Sequence, residues 1–112
     1  MIIIENQKEY GTIVTNSTIP LLVDFYADWC GPCKQLTPKL EDLEKKNNTI
    51  KFLKINVDNE DCSNICKLYE INSLPTIIFI NNKLEESNLR VEGNNIIKIE
   101  ENIKKLINNK LK

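Results

Sequence analysis

The residues of this chain best suited to covalent chemistry are two cysteines in the segment Trp29-Cys30-Gly31-Pro32-Cys33. They stand between the apolar run at residues 21–27 and a stretch in which Leu36, Leu40 and Leu43 recur at helical spacing. The first thiol therefore falls where a strand ends and the free amides of a helix begin. Partial positive charge there favours an anion, so it lowers the pKa of Cys30 and enriches the nucleophilic thiolate. Cys33, one turn further in, is expected to be the more buried. Two thiols at this spacing can bond, so the second can displace a mixed disulfide formed by the first, and two electrons move without a bound cofactor. Inert core thiols are the competing reading, and the flanking Trp29, Gly31 and Pro32 weigh against it.

Asp24 stands between Val23 and Phe25 in a run that looks buried on both faces. A carboxylate there loses hydration and its pKa rises; at a strand end it would simply face water. Trp29 either fills core or shields the nucleophile and offers apolar surface to a partner. Lys54, by pattern alone, could equally be a solvent-facing lysine of a strand. Lys34 and Lys39 read as solvated helix charges.

The elements that must position these groups alternate along the chain. Residues 2–4 form a short apolar strand, Tyr10, Ile13 and Val14 mark a weak helix, and residues 21–27 a buried strand. A helix is expected over residues 33–46, kinked at Pro38 and closed by Asn47. Residues 52–57 alternate as a strand with Asp58 at its carboxyl end. The next helix uses Cys62, Ile65, Cys66 and Tyr69 as its inner face and ends before Pro75. Residues 76–80 form a further strand, and Asn81-Asn82 a tight turn into a strand holding Leu89 and Val91. The last helix, over residues 95–109, buries Ile96, Ile99, Ile103 and Leu106, while Glu100 with Lys104 and Glu101 with Lys105 stand at spacing four. This order predicts an α/β protein, a central mixed sheet with helices on both faces.

Length and composition bound the rest. The 112 residues suit one domain spanning 1–112, and 41% hydrophobic with 28% charged residues is an ordinary globular balance. Fifteen Lys and Arg against sixteen Asp and Glu, with no basic block, argue against nucleic acid as a partner. Apolar runs are too short to cross a bilayer and no export signal is visible, so membrane association is not expected. Four cysteines in such a chain read as thiols of a reducing compartment, which favours a cytoplasmic location and catalysis or metal binding over a disulfide framework.

The segment Asp24-Phe25-Tyr26-Ala27-Asp28-Trp29-Cys30-Gly31-Pro32-Cys33-Lys34 resembles the active-site segment of the thioredoxin family almost residue for residue. The likeness extends through Lys54-Ile55-Asn56-Val57-Asp58, Leu74-Pro75-Thr76 and Gly93. It implies the thioredoxin fold and a monomeric protein disulfide reductase. That reductase needs no cofactor beyond the redox-active pair Cys30–Cys33, and an NADPH-dependent thioredoxin reductase recycles it. The resemblance further implies that Asp24 lies buried behind Cys33 and helps deprotonate it, with Lys54 as its neighbour. Pro75 would be cis, and Leu74 would pair through its backbone with an extended substrate segment. Trp29, Gly31, Pro32, Leu74 and Pro75 would form the substrate-binding surface. Ser73 replaces the family's frequent Gly or Ala, and Asn82-Lys83 its Asn-Gly turn; Cys62 and Cys66 are additional.

Three alternatives stand beside this reading. Cys30, Cys33, Cys62 and Cys66 could form a four-sulfur zinc site, although such small zinc domains usually lack a complete α/β pattern. An oxidase or isomerase of the same fold commonly carries His between its cysteines, where this chain has Pro32 and no His at all. A non-enzymatic subunit could keep the fold as a scaffold, which an intact motif makes an addition to the redox role.

Overall fold

The computed structural model describes residues 1–110, so the last two residues of the domain expected over 1–112 lie outside it. Its elements are β1 (Ile2–Ile3), α1 (Gln7–Asn16), β2 (Leu21–Tyr26), α2 (Gly31–Lys46), β3 (Lys51–Asn56), α3 (Ser63–Leu68), β4 (Thr76–Asn81), β5 (Leu84–Glu85), β6 (Val91–Glu92) and α4 (Ile96–Lys110). Short 3-10 turns cover Glu60–Cys62 and Ser87–Leu89.

β2 lies at the centre of one mixed sheet ordered β1-β3-β2-β4-β5, with β6 also paired to β4. β1, β3 and β2 run parallel, while β4 runs antiparallel to β2, β5 and β6. Successive strand residues point to opposite faces, so each strand feeds two cores. Leu22, Phe52, Ile77 and Phe79 pack with α2 and α4 residues on one face. Val23, Phe25, Leu53 and Ile78 pack with Tyr10 of α1 and Ile65 of α3 on the other. A carboxylate at position 24 is consequently enclosed under the α2 face, flanked by strands on both sides.

The expected order of elements holds, with local departures. α2 begins at Gly31, two residues before the expected start, because Cys30 serves as its cap. The hairpin turn is centred on Asn82-Lys83, both at positive φ (52° and 70°), where the resemblance places it and one residue later than the pair Asn81-Asn82 suggests. The strand expected to hold Leu89 and Val91 is broken. The chain makes the short β5 first, Leu89 lies in the 3-10 turn with its amide bonded to Glu86 O (2.9 Å), and only Val91 enters a strand. Leu89 still reaches the core, and its carbonyl, outside any ladder, accepts from the buried Asn102 Nδ2 at 2.8 Å. In α4 Ile96 is only partly buried, and among the described residues its ion pair is Lys98–Glu101 (3.6 Å) in place of the two pairs expected at spacing four. Cys62 ends a 3-10 turn and caps α3, whose first residue is Ser63. Among the described residues no helix is long and apolar enough to cross a membrane.

Candidate active site

β2 delivers the reactive segment to the carboxyl edge of the sheet. After Tyr26 the chain turns, with Cys30 N bonding back to Ala27 O (3.2 Å), and enters α2. Cys30 is the cap residue: its Sγ accepts the Cys33 amide at 3.2 Å, and Pro32 occupies the first turn, where its missing N–H leaves no bond unmade. Cys30 and Cys33 are joined by a disulfide with their Cα atoms 5.3 Å apart. The sulfur of Cys30 thus meets the positive end of a sixteen-residue helix and one of its free amides, a setting that stabilises a thiolate when the bond opens.

The expected difference in burial between the two is small, at 5% exposure for Cys30 and 3% for Cys33, because both belong to one cluster with Ala27 against which Tyr26, Val57 and Leu74 pack. Their outlooks differ instead. Cys30 borders a groove of about 510 Å³ with Trp29, Val57, Ile71 and Leu74. Cys33 borders a smaller cavity of about 280 Å³ with Tyr26, Lys34 and Lys54. A further groove of about 840 Å³, between α1 and α3, is lined by neither sulfur.

Trp29 is 70% exposed, so it is surface and not core. Its Nε1 donates to Asp58 Oδ2 at 2.8 Å, which holds the ring at the rim of the groove. Gly31 and Pro32 line the same groove. The Leu74–Pro75 bond is cis, and the ladder of β4 with β2 begins at Thr76, which leaves Leu74 outside it. Thr76 Oγ1 donates to Ser73 O (2.6 Å), and Ser73 Oγ to Glu92 Oε2 (2.7 Å).

Asp24 is 1% exposed, and its Oδ1 has no hydrogen-bond partner. Burial pushes its carboxyl up to about 7, and the positive charge of Lys54 pulls partly the other way. The parallel register sets Asp24 directly beside Lys54. Lys54 is therefore no plain solvent lysine, and its Nζ also stands 4.3 Å above the ring of Tyr26. The strand-end alternative for Asp24 does not hold.

Cys62 and Cys66 are free and diverge. Cys62 is buried with its Sγ 3.7 Å from Ile4 O, while the half-buried Cys66 borders the groove beside Cys30. Burial raises both thiols. Among the described residues no cluster of three or more metal-ligating side chains forms, so the four sulfurs of the zinc alternative do not converge. Sequence reasoning missed the contact of Asp58 with Trp29. The register offers the signal for it: Tyr26 lies opposite Asn56, so the residues just beyond both strands meet at the same edge.

Comparison with known proteins gives a consistent result. The thioredoxin family model matches residues 1–105. Thioredoxin of Borreliella burgdorferi is 50% identical over 77 residues, covering 68% of this chain and 62% of that protein. Thioredoxin of Rickettsia felis is 46% identical over 70 residues, 62% of this chain and 65% of that one. The chain spans about three-fifths of the length of the curated relatives it matches, 58%, 65% and 59% for three thioredoxins including that of Rickettsia felis. Among solved structures, Fasciola hepatica thioredoxin superposes with a TM-score of 0.85 at 31% identity, covering 95% of this chain and 99% of that one.

Proposed function

As this chain belongs to the thioredoxin family, we propose that it is a thiol-disulfide oxidoreductase that reduces protein disulfides through Cys30 and Cys33. One observation carries the reading: a disulfide-bonded Cys30–Cys33 pair whose first sulfur caps α2 and opens onto a groove walled by Trp29 and Leu74.

In the reduced protein the Cys30 thiolate attacks one sulfur of a substrate disulfide, forming a mixed disulfide and expelling the other sulfur as a thiolate. Cys33 then gives its proton to the Asp24 carboxylate and attacks Cys30 Sγ. The Cys30–Cys33 bond forms, the mixed disulfide breaks, and the substrate leaves with the two electrons of the dithiol. A carboxyl titrating about 7 suits that role, since a proton acceptor works best with a pKa near the working pH. Lys54 moderates the carboxyl's charge, Trp29, Gly31 and Pro32 form the contact surface, and Leu74 ahead of Pro75 pairs with the extended substrate segment.

The dithiol is itself the electron carrier, so the cycle calls for no bound cofactor. The electron donor we propose is an NADPH-dependent thioredoxin reductase, the substrates disulfide-bearing proteins, and the working form a monomer. The two unpaired thiols, Cys62 and Cys66, suit a reducing compartment, which we take to be the cytoplasm. Pro32 between the cysteines supports reduction over oxidation or isomerisation, where a histidine charge would strengthen the disulfide as an oxidant. A coupled assay with the oxidised protein, a thioredoxin reductase and a disulfide-bonded protein tests the reading. Continuous NADPH consumption that requires all three components is expected, and none above the reductase alone would overturn it.

A further inference from the structure

Arg90 is the single arginine beside fourteen lysines, and two nitrogens of its flat fork, Nε and Nη2, make three hydrogen bonds. Its Nε donates to Glu85 Oε2 and its Nη2 to Glu85 Oε1, both at 2.8 Å, and the same Nη2 donates to Tyr69 O at 2.7 Å. The pair is mostly enclosed, at 22% and 15% side-chain exposure, so water competes weakly for these bonds.

Tyr69 ends α3 and leads into the loop that carries Leu74. Glu70 N bonds to Lys67 O (3.1 Å) and Ile71 N to Cys66 O (3.0 Å), the two-bond closure that reverses a chain leaving a helix. That closure needs a left-handed residue, usually glycine, and here it is Glu70 at φ 52°. A side chain disfavours the conformation, so the turn depends on support from outside it. Arg90 supplies that support at the loop's entry.

The loop's exit is held by the two residues that follow Val91. Ser73 Oγ donates to Glu92, and Gly93 N donates to Pro75 O at 2.8 Å. The short segment from Arg90 to Gly93 therefore grips the loop at both ends and leaves Leu74 against the groove.

We propose that Arg90 is a positioning residue: through Tyr69 O it fixes the loop at residues 70–75 in the conformation that receives an extended protein substrate, and so sets affinity for protein disulfides without acting on either sulfur. The inference rests on the reading of Leu74 as the docking position. A substrate that must find the loop in one conformation binds more weakly in proportion to the fraction of time the loop spends elsewhere.

The test compares insulin, whose chains must dock along the loop, with 5,5′-dithiobis(2-nitrobenzoate), a small disulfide that need only reach Cys30. Arg90→Gln is expected to raise KM for insulin about fivefold, as for a loop competent one-fifth of the time, with kcat unchanged. Its rate with the small disulfide and the pH profile of Cys30 alkylation should match those of the unaltered protein. Arg90→Lys should restore KM in part, because one ammonium nitrogen can stand in for Nη2 between Glu85 Oε1 and Tyr69 O but leaves Glu85 Oε2 without its Nε–H donor. Ser73→Ala removes one of the two bonds at the loop's exit and should raise KM in the same direction, which keeps the proposal testable if Arg90→Gln folds poorly. An unchanged KM in both variants, or equal losses with both disulfides, would overturn the proposal. Failure of the unaltered protein to reduce insulin would instead overturn the reductase reading itself.

Discussion

A carboxylate walled in under α2 with one oxygen unbonded is unfavourable for folding when ionised, and Asp24 is such a group. In the unfolded chain it titrates near its ordinary 3.8, and in the folded protein at about 7. Between those values the unfolded chain releases a proton that the folded protein keeps. The stability linked to this group is therefore full below pH 3.8 and falls as pH rises to about 7, by roughly 4 kcal/mol at most. Asp24→Asn should thus match the unaltered protein near pH 4 and exceed it in stability at pH 8, as denaturant unfolding at the two pH values would read. Resolution of the mixed disulfide should slow in the same variant near neutral pH, because Cys33 loses its proton acceptor. Equal resolution rates from pH 6 to 9 would remove Asp24 from the mechanism. Burial of Asp24 was inferable from its apolar neighbours, whereas its pairing with Lys54 needed the β2–β3 register, which single-strand patterns do not carry.

Among the elements, those with strong periodicity were legible and those set by turn chemistry were not. β2, β3, β4 and α4 lie close to where apolar spacing places them. Leu89 and Val91, two apart, imitate a strand, but the polar stretch before them closes a 3-10 turn, and Asn102 of the distant α4 serves the carbonyl left over. No local pattern could reveal a donor thirteen residues away. The β4–β5 hairpin shows the same limit: two asparagines marked the turn, yet its centre includes Lys83 at φ 70°. A side chain at such an angle costs about 1 kcal/mol relative to glycine. Lys83→Gly is expected to stabilise the protein by about that amount, raising Tm by roughly 4 °C or more, without altering disulfide reduction. A lower Tm would mean that the lysine contributes a contact worth more than the turn's strain.

On the scale of the molecule, the sheet brings three separate stretches of chain to one edge, the first running from β2 into α2. The ends of β2 and β3, the start of α2 and the loop before β4 place Trp29 with Asp58, the sulfurs, and Leu74 around one groove. The cysteine motif was readable in five residues, while the groove exists only because parallel β2 and β3 end together and β4 enters antiparallel beside them. The central claim is that this edge reduces protein disulfides with Cys30 as nucleophile and Cys33 as resolving thiol. It is tested most directly by incubating Cys33→Ser and Cys30→Ser, each reduced, with a mixture of disulfide-bonded proteins and identifying covalent adducts by mass spectrometry under non-reducing conditions. Cys33→Ser should accumulate mixed disulfides through Cys30, since the intermediate has no internal exit, and Cys30→Ser almost none. Equal trapping by the two variants, or adducts carried by Cys62 or Cys66, would contradict the assignment.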